Sequence, residues 1–73
     1  MSFSTDIKKI RTSLMLSQTE FGQLLGVDYS SINRWENNKG KPNFKAQKAI
    51  ASFCKERGIE FDIVKSLDNK SND

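Results

Sequence analysis

Apolar residues recur along this chain at helical spacing, and four helices separated by clear breaks follow from that spacing. Ile7, Ile10 and Leu14 fall at i, i+3 and i+7 and predict a first helix over about residues 6–15. Ser4 or Thr5 can cap it, and Asp6 lies in its first turn, where the helix dipole favours a carboxylate. Ser17-Gln18-Thr19-Glu20 reads as a capping box, Ser17 accepting from the Glu20 amide while the Glu20 carboxylate accepts from the Ser17 amide. Phe21, Leu24 and Leu25 supply the apolar face of a second helix over 18–25, and Gly26 suits the left-handed position that ends it. Asp28 is a good N-cap for a third helix over 29–37. Asn38-Lys39-Gly40-Lys41-Pro42-Asn43 is a loop, since glycine and proline block a continuous helix. A fourth helix over 44–57 is expected to bury Phe44, Ala46, Ile50, Phe53 and Cys54, with Gly58 ending it.

The remainder of the pattern is shorter. Ile59, Phe61 and Ile63 alternate with Glu60, Asp62 and Val64, which predicts a short strand over 59–66; a short helix from Asp62 is the alternative. An isolated strand needs a partner. Residues 68–73, DNKSND, form a polar end expected to be disordered.

The third helix has two unlike faces. At about 100° per residue, Ser31, Ile32, Trp35 and Glu36 share one arc and Tyr29, Ser30, Asn33, Arg34 and Asn37 the other. The second arc has no aliphatic residue and no carboxylate. Arginine can reach guanine O6 and N7 bidentately, asparagine can pair with adenine, and serine and tyrosine are adaptable donors and acceptors. A solvated helix face would look much the same, so the context has to decide.

Composition narrows the choice. The 73 residues make one small domain, with 12 Lys+Arg against 9 Asp+Glu, a net charge of +3. Residues 1–57 carry ten basic and five acidic side chains (+5), and residues 58–73 carry two and four (−2). A basic body with an acidic end suits a polyanionic partner. The chain has no histidine, so no imidazole can act as a base or ligand. One cysteine, Cys54, leaves no internal disulfide and no zinc ribbon. No metal or other cofactor is expected. Its four glycines are scattered rather than gathered in a phosphate loop, and no apolar run suits a membrane span or a signal peptide. These absences favour a cytoplasmic binding module over an enzyme.

A capped short helix, a glycine-containing turn, a helix with an outward polar face and a lysine-bearing loop together describe a helix-turn-helix. The stretch IRTSLMLSQTEFGQLLGVDYSSINRWENNKGKP resembles the XRE-type family of phage repressor and Cro proteins. The likeness extends over about residues 7–53 and rests on Ile-Arg in the first helix, Leu-Ser-Gln-x-Glu-Phe, Leu-Gly-Val and Arg-Trp-Glu. It implies an all-α, lambda-repressor-like DNA-binding domain of four to five helices over residues 1–67, its third helix entering the major groove of double-stranded DNA. Matched position by position, Tyr29, Ser30, Asn33 and Arg34 would meet base edges. Gln18, Asn37, Asn38, Lys39 and Lys41 would meet phosphates, Gln18 also bracing the third helix. Arg11 and Glu36 match an ion pair that ties the first helix to the end of the third.

The sequence departs from the family pattern at three places. Tyr29 stands where many relatives have glutamine or threonine, so base preference does not transfer. Ser13 replaces a frequent arginine. Asn38 replaces a common glycine, which asparagine can imitate in a left-handed conformation. Trp35 reads as a packing residue and Cys54 as a small core residue.

The expected function is sequence-specific transcriptional regulation, as a repressor or autoregulator bound to an inverted repeat and localised to the nucleoid. A homodimer is expected through Ile59, Phe61 and Ile63 on one side of the possible strand. The competing class is a protein-interaction module, above all an antitoxin, with a toxin or anti-repressor as its protein partner.

Overall fold

Five helices pack around one core in the computed structural model, which describes residues 2–67. They are α1 (Phe3–Ser13), α2 (Gln18–Leu25), α3 (Tyr29–Glu36), α4 (Phe44–Glu56) and α5 (Ile63–Leu67). The fold class is all-α. Phe3, Ile7 and Ile10 of α1 meet Phe21 and Leu25 of α2, Ile32 and Trp35 of α3, Ala46, Ile50, Phe53 and Cys54 of α4, and Ile63 of α5. Two edge-to-face aromatic pairs join distant elements: Phe3 with Trp35 at 6.2 Å between ring centroids, and Phe21 with Phe53 at 5.4 Å. Such pairs add about 0.5–1.5 kcal/mol each beyond their burial.

The first helix begins earlier than its apolar spacing suggests. Ser2, not Ser4 or Thr5, is the N-cap, and its hydroxyl accepts from the Thr5 amide at 3.3 Å. Packing accounts for the shift, because an extra turn carries Phe3 onto Trp35. The helix also stops sooner, at Ser13, where Met15 turns left-handed with φ 59°.

The second helix matches the reading of its ends. Ser17 and Glu20 form both bonds of the capping box, at 3.0 Å and 2.8 Å, and Gly26 closes the helix with φ 75°. Gly22, inside the helix, is required by proximity rather than by torsion. A Cβ there would lie 2.7 Å from the Val27 carbonyl oxygen, where the turn into α3 folds back over α2. The Val27 amide completes this closure by donating to the Gly22 carbonyl at 2.9 Å.

Two expected core residues point outward. Leu24 is exposed, because the turn and α3 cover the Gly22 side of α2 and leave its opposite edge open. Phe44 is 74% exposed. The buried stripe of α4 runs through Ala46, Ile50, Phe53 and Cys54, and Phe44 sits roughly 160° around the helix from Ala46. Its ring lies instead beneath Lys48 Nζ, 5.7 Å from the centroid.

The strand preferred for residues 59–66 does not form, and no strand occurs among the described residues. The short helix takes its place. Asp62 Oδ1 accepts from the Lys65 amide at 3.1 Å, and Ser66 Oγ donates to Asp6 Oδ2 at 2.7 Å, tying α5 to α1. Ile63 is buried and Ile59, Phe61 and Leu67 pack against the core, a gain that an unpartnered strand would forgo. Ile63 is therefore occupied within its own chain, and the strand edge expected to carry a dimer is absent. The polar end at 68–73, expected to be disordered, lies outside the described residues.

Candidate nucleic-acid interface

The third helix is fixed on its inner side and open on its outer side. Ile32 and Trp35 are buried, while Tyr29, Ser30 and Arg34 are exposed. Asp28 occupies the N-cap without a side-chain bond to the helix. The last turn closes in a Schellman motif: the Asn38 amide donates to the Trp35 carbonyl at 3.2 Å and the Lys39 amide to the Arg34 carbonyl at 2.8 Å. Asn38 takes the left-handed position, φ 58°, in place of glycine.

Behind this face runs a continuous polar network. Arg11 Nε donates to Glu36 Oε2 at 2.6 Å and Arg11 Nη2 to Glu36 Oε1 at 2.9 Å, while Arg11 Nη1 reaches the Leu16 carbonyl at 2.9 Å. Gln18 Nε2 donates to the same Glu36 Oε1 at 3.0 Å. Gln18 Oε1 accepts in turn from Asn33 Nδ2 at 3.3 Å, and Asn37 Nδ2 donates to Asn33 at 2.8 Å on the carbonyl and 3.2 Å on Oδ1. Hydrogen bonding to Glu36 holds the Arg11 proton more firmly than usual, against the opposing effect of its own burial. The network ties the end of α1 and the start of α2 to the end of α3.

The candidate residues thus divide into three groups. Tyr29, Ser30 and Arg34 are displayed. Arg11, Gln18, Asn33, Glu36 and Asn37 are joined. Turning the Asn33 side chain outward would break its side-chain bonds to Gln18 and Asn37 while leaving the Asn37 bond to its backbone carbonyl. Lys39 and Lys41 stand exposed on the loop after α3 with Asn38. That loop is anchored at its far end: Pro42 is buried, its carbonyl accepts from Gln47 Nε2 at 3.0 Å, and Asn43 Oδ1 caps α4 by accepting from the Ala46 amide at 2.8 Å. Ile59, Phe61 and Ile63 are gathered onto the core.

Two features escaped the sequence reading. One is the role of Glu36 Oε1 as a shared acceptor for Arg11 and Gln18; the polar types at these positions hinted at it. The other is the direction of Arg34, whose Nη2 turns toward the Lys39 carbonyl at 3.4 Å. No sequence spacing signals that. Among the described residues no group of His, Cys, Asp and Glu has the makings of a metal site. No described helix is long and apolar enough to cross a membrane.

Comparison with known proteins agrees with this arrangement. A family model described as helix-turn-helix matches residues 7–61. The HTH-type transcriptional activator BcrR of Enterococcus faecalis is 30% identical over a 78-residue alignment that takes in 99% of this chain and 38% of that protein. The chain thus spans well under half the length of that relative. No solved structure matches. With the match covering most of its length and the helix-turn-helix geometry in place, this chain belongs to the XRE-type helix-turn-helix family.

Proposed function

We propose that this chain is a sequence-specific, double-stranded DNA-binding transcriptional regulator that places α3 in the major groove. The observation that carries the reading is the division of α3 into a clamped inner side and an outer side free of carboxylates. Groove readout needs both properties, a rigid helix and exposed donors without charge repulsion. Arg34, Tyr29 and Ser30 meet base edges, with Asn33 adjoining them. Lys39, Lys41, Asn37, Asn38 and Gln18 meet the backbone, where they set the register of the helix.

The regulator acts as a symmetric dimer on an inverted repeat, because one recognition helix spans too few base pairs for discrimination across a genome. Half-sites then lie about 34–36 Å apart. The C-terminal segment supplies the contact, with Val64 of α5 exposed and Ile59 and Phe61 half-buried nearby in sequence. Regulation is by occupancy of the operator, as a repressor acting on the nucleoid. The Enterococcus relative, a transcriptional activator, favours a second reading, activation of transcription.

Selection of bound sequences from a random DNA pool tests the proposal. Enrichment of an inverted repeat is expected, and a pool that stays random overturns the reading. A reporter driven from the enriched site then separates the two modes. Repression lowers its output and activation raises it.

A further inference from the structure

We propose that Gly40 is a positioning residue for Arg34: its missing side chain leaves a shelf on which the guanidinium rests, and this placement sets discrimination at the base that Arg34 reads. The inference rests on the proposed entry of α3 into the major groove. A Cβ built at Gly40 would lie 3.2 Å from Arg34 Nη2, 3.3 Å from Nε and 3.6 Å from Cζ. One side of the guanidinium therefore lies along the bare Cα. Torsion does not explain the glycine, because Gly40 lies outside the left-handed region that Gly26 and Gly58 occupy. What a side chain would remove there is room for Arg34.

The shelf is built by the same turn that ends the helix. The Lys39 amide is bonded to the Arg34 carbonyl at 2.8 Å, and the Lys39 carbonyl accepts from Arg34 Nη2 at 3.4 Å. Backbone and side chain of Arg34 thus both bond to one residue, Lys39, on the two peptide groups that flank its Cα. Among the described residues Arg34 has no carboxylate partner. Neutral contacts hold its position while its charge and remaining donors stay open to a ligand. A long side chain steadied before binding loses less freedom on contact and rejects a misplaced base more sharply.

Gly40→Ala would push the guanidinium by a few tenths of an ångström, and Gly40→Val, with two more methyl groups, would displace it from the shelf. The first readout needs no DNA. Nuclear magnetic resonance relaxation of the Arg34 Nε–H should show an ordered group in the parent chain, a looser one in Gly40→Ala and a freely moving one in Gly40→Val. The second readout uses the site enriched from the random pool and its single-base variants. Discrimination at one base position should fall by at least about fivefold in Gly40→Val, the lower end of what a bidentate arginine–guanine pair contributes. The salt dependence should be unchanged, because Lys39 and Lys41 remain. In an Arg34→Ala background the Gly40 substitutions should have no effect on discrimination. Equal order of the Arg34 Nε–H in all three chains would overturn the proposal. So would undiminished discrimination, or the same loss without Arg34. If the parent chain enriches no sequence, the DNA-binding reading fails, and the relaxation comparison still decides whether Gly40 positions Arg34.

Discussion

Arg11 and Glu36 form a two-pronged ion pair that joins α1 to the last turn of α3, at 2.6 Å and 2.9 Å. Only 13% of the Arg11 side chain and 3% of the Glu36 side chain are exposed. Both carboxylate oxygens are engaged, since Glu36 Oε1 also accepts from Gln18. The pair adds a polar anchor at the end of α3 to the core packing of Ile32 and Trp35 on the same helix.

Glu36→Ala should destabilise the fold by about 3–5 kcal/mol, because it leaves the Arg11 guanidinium nearly buried with only the Leu16 carbonyl for company. Urea denaturation measures the loss. A change near zero would mean that Arg11 swings into water at little cost, as surface pairs allow.

The same region shows what was legible in the sequence. The helical stretches, the Ser17–Glu20 capping box and the left-handed Asn38 are local, and each follows from a few neighbouring residue types. The bonds from Gln18 to Glu36 and Asn33 join residues far apart in the chain and leave no periodic trace. Phe3 escaped notice for the same reason, since its partner Trp35 belongs to another helix. Residues 59–66 misled because two periods overlap there. Ile59, Phe61 and Ile63 alternate as a strand would, yet Ile63 and Leu67 are also spaced as in a helix, and docking on α1 and α4 decides for the helix.

Arg34 and the loop lysines should fail in different ways. Arg34→Ala is expected to weaken the preferred site by about 1–3 kcal/mol and to relax preference at one base position. Lys39→Ala or Lys41→Ala should weaken all sequences alike and lower the salt slope by about one per lost phosphate contact. Binding titrations across several salt concentrations, on the enriched site and on random DNA, distinguish the two. Equal losses on both DNAs for Arg34→Ala would remove it from the base readers.

Met15 offers a stabilising change. Its backbone is left-handed with φ 59°, and its side chain is 90% exposed, so glycine removes strain without removing packing. The relief, partly offset by glycine's greater freedom in the unfolded chain, is about 0.5–1 kcal/mol. Tm should rise by a few degrees. A lower Tm for Met15→Gly would show that the methionine contributes more at this turn than its exposure indicates.

Cys54 links stability to alkaline pH. The residue is 1% exposed on α4, and burial raises the thiol above its ordinary range while nearby Arg57 opposes part of that rise. The folded state therefore holds the neutral thiol more firmly than the unfolded state does. Below the unfolded value, about 8.5, both states are protonated and the contribution is fully present. As pH climbs from there through the higher folded value, the unfolded chain gains by ionising and stability declines. Cys54→Ala removes this dependence, although it gives up some core packing at every pH. Urea melts at neutral pH and above about pH 9 should thus show the parent chain losing stability faster than Cys54→Ala, with the gap between them narrowing. Alkylation of the native thiol should also be slow and should accelerate with urea. Rapid labelling without denaturant, together with parallel pH profiles for the two chains, would show that the thiol ionises freely in the folded protein.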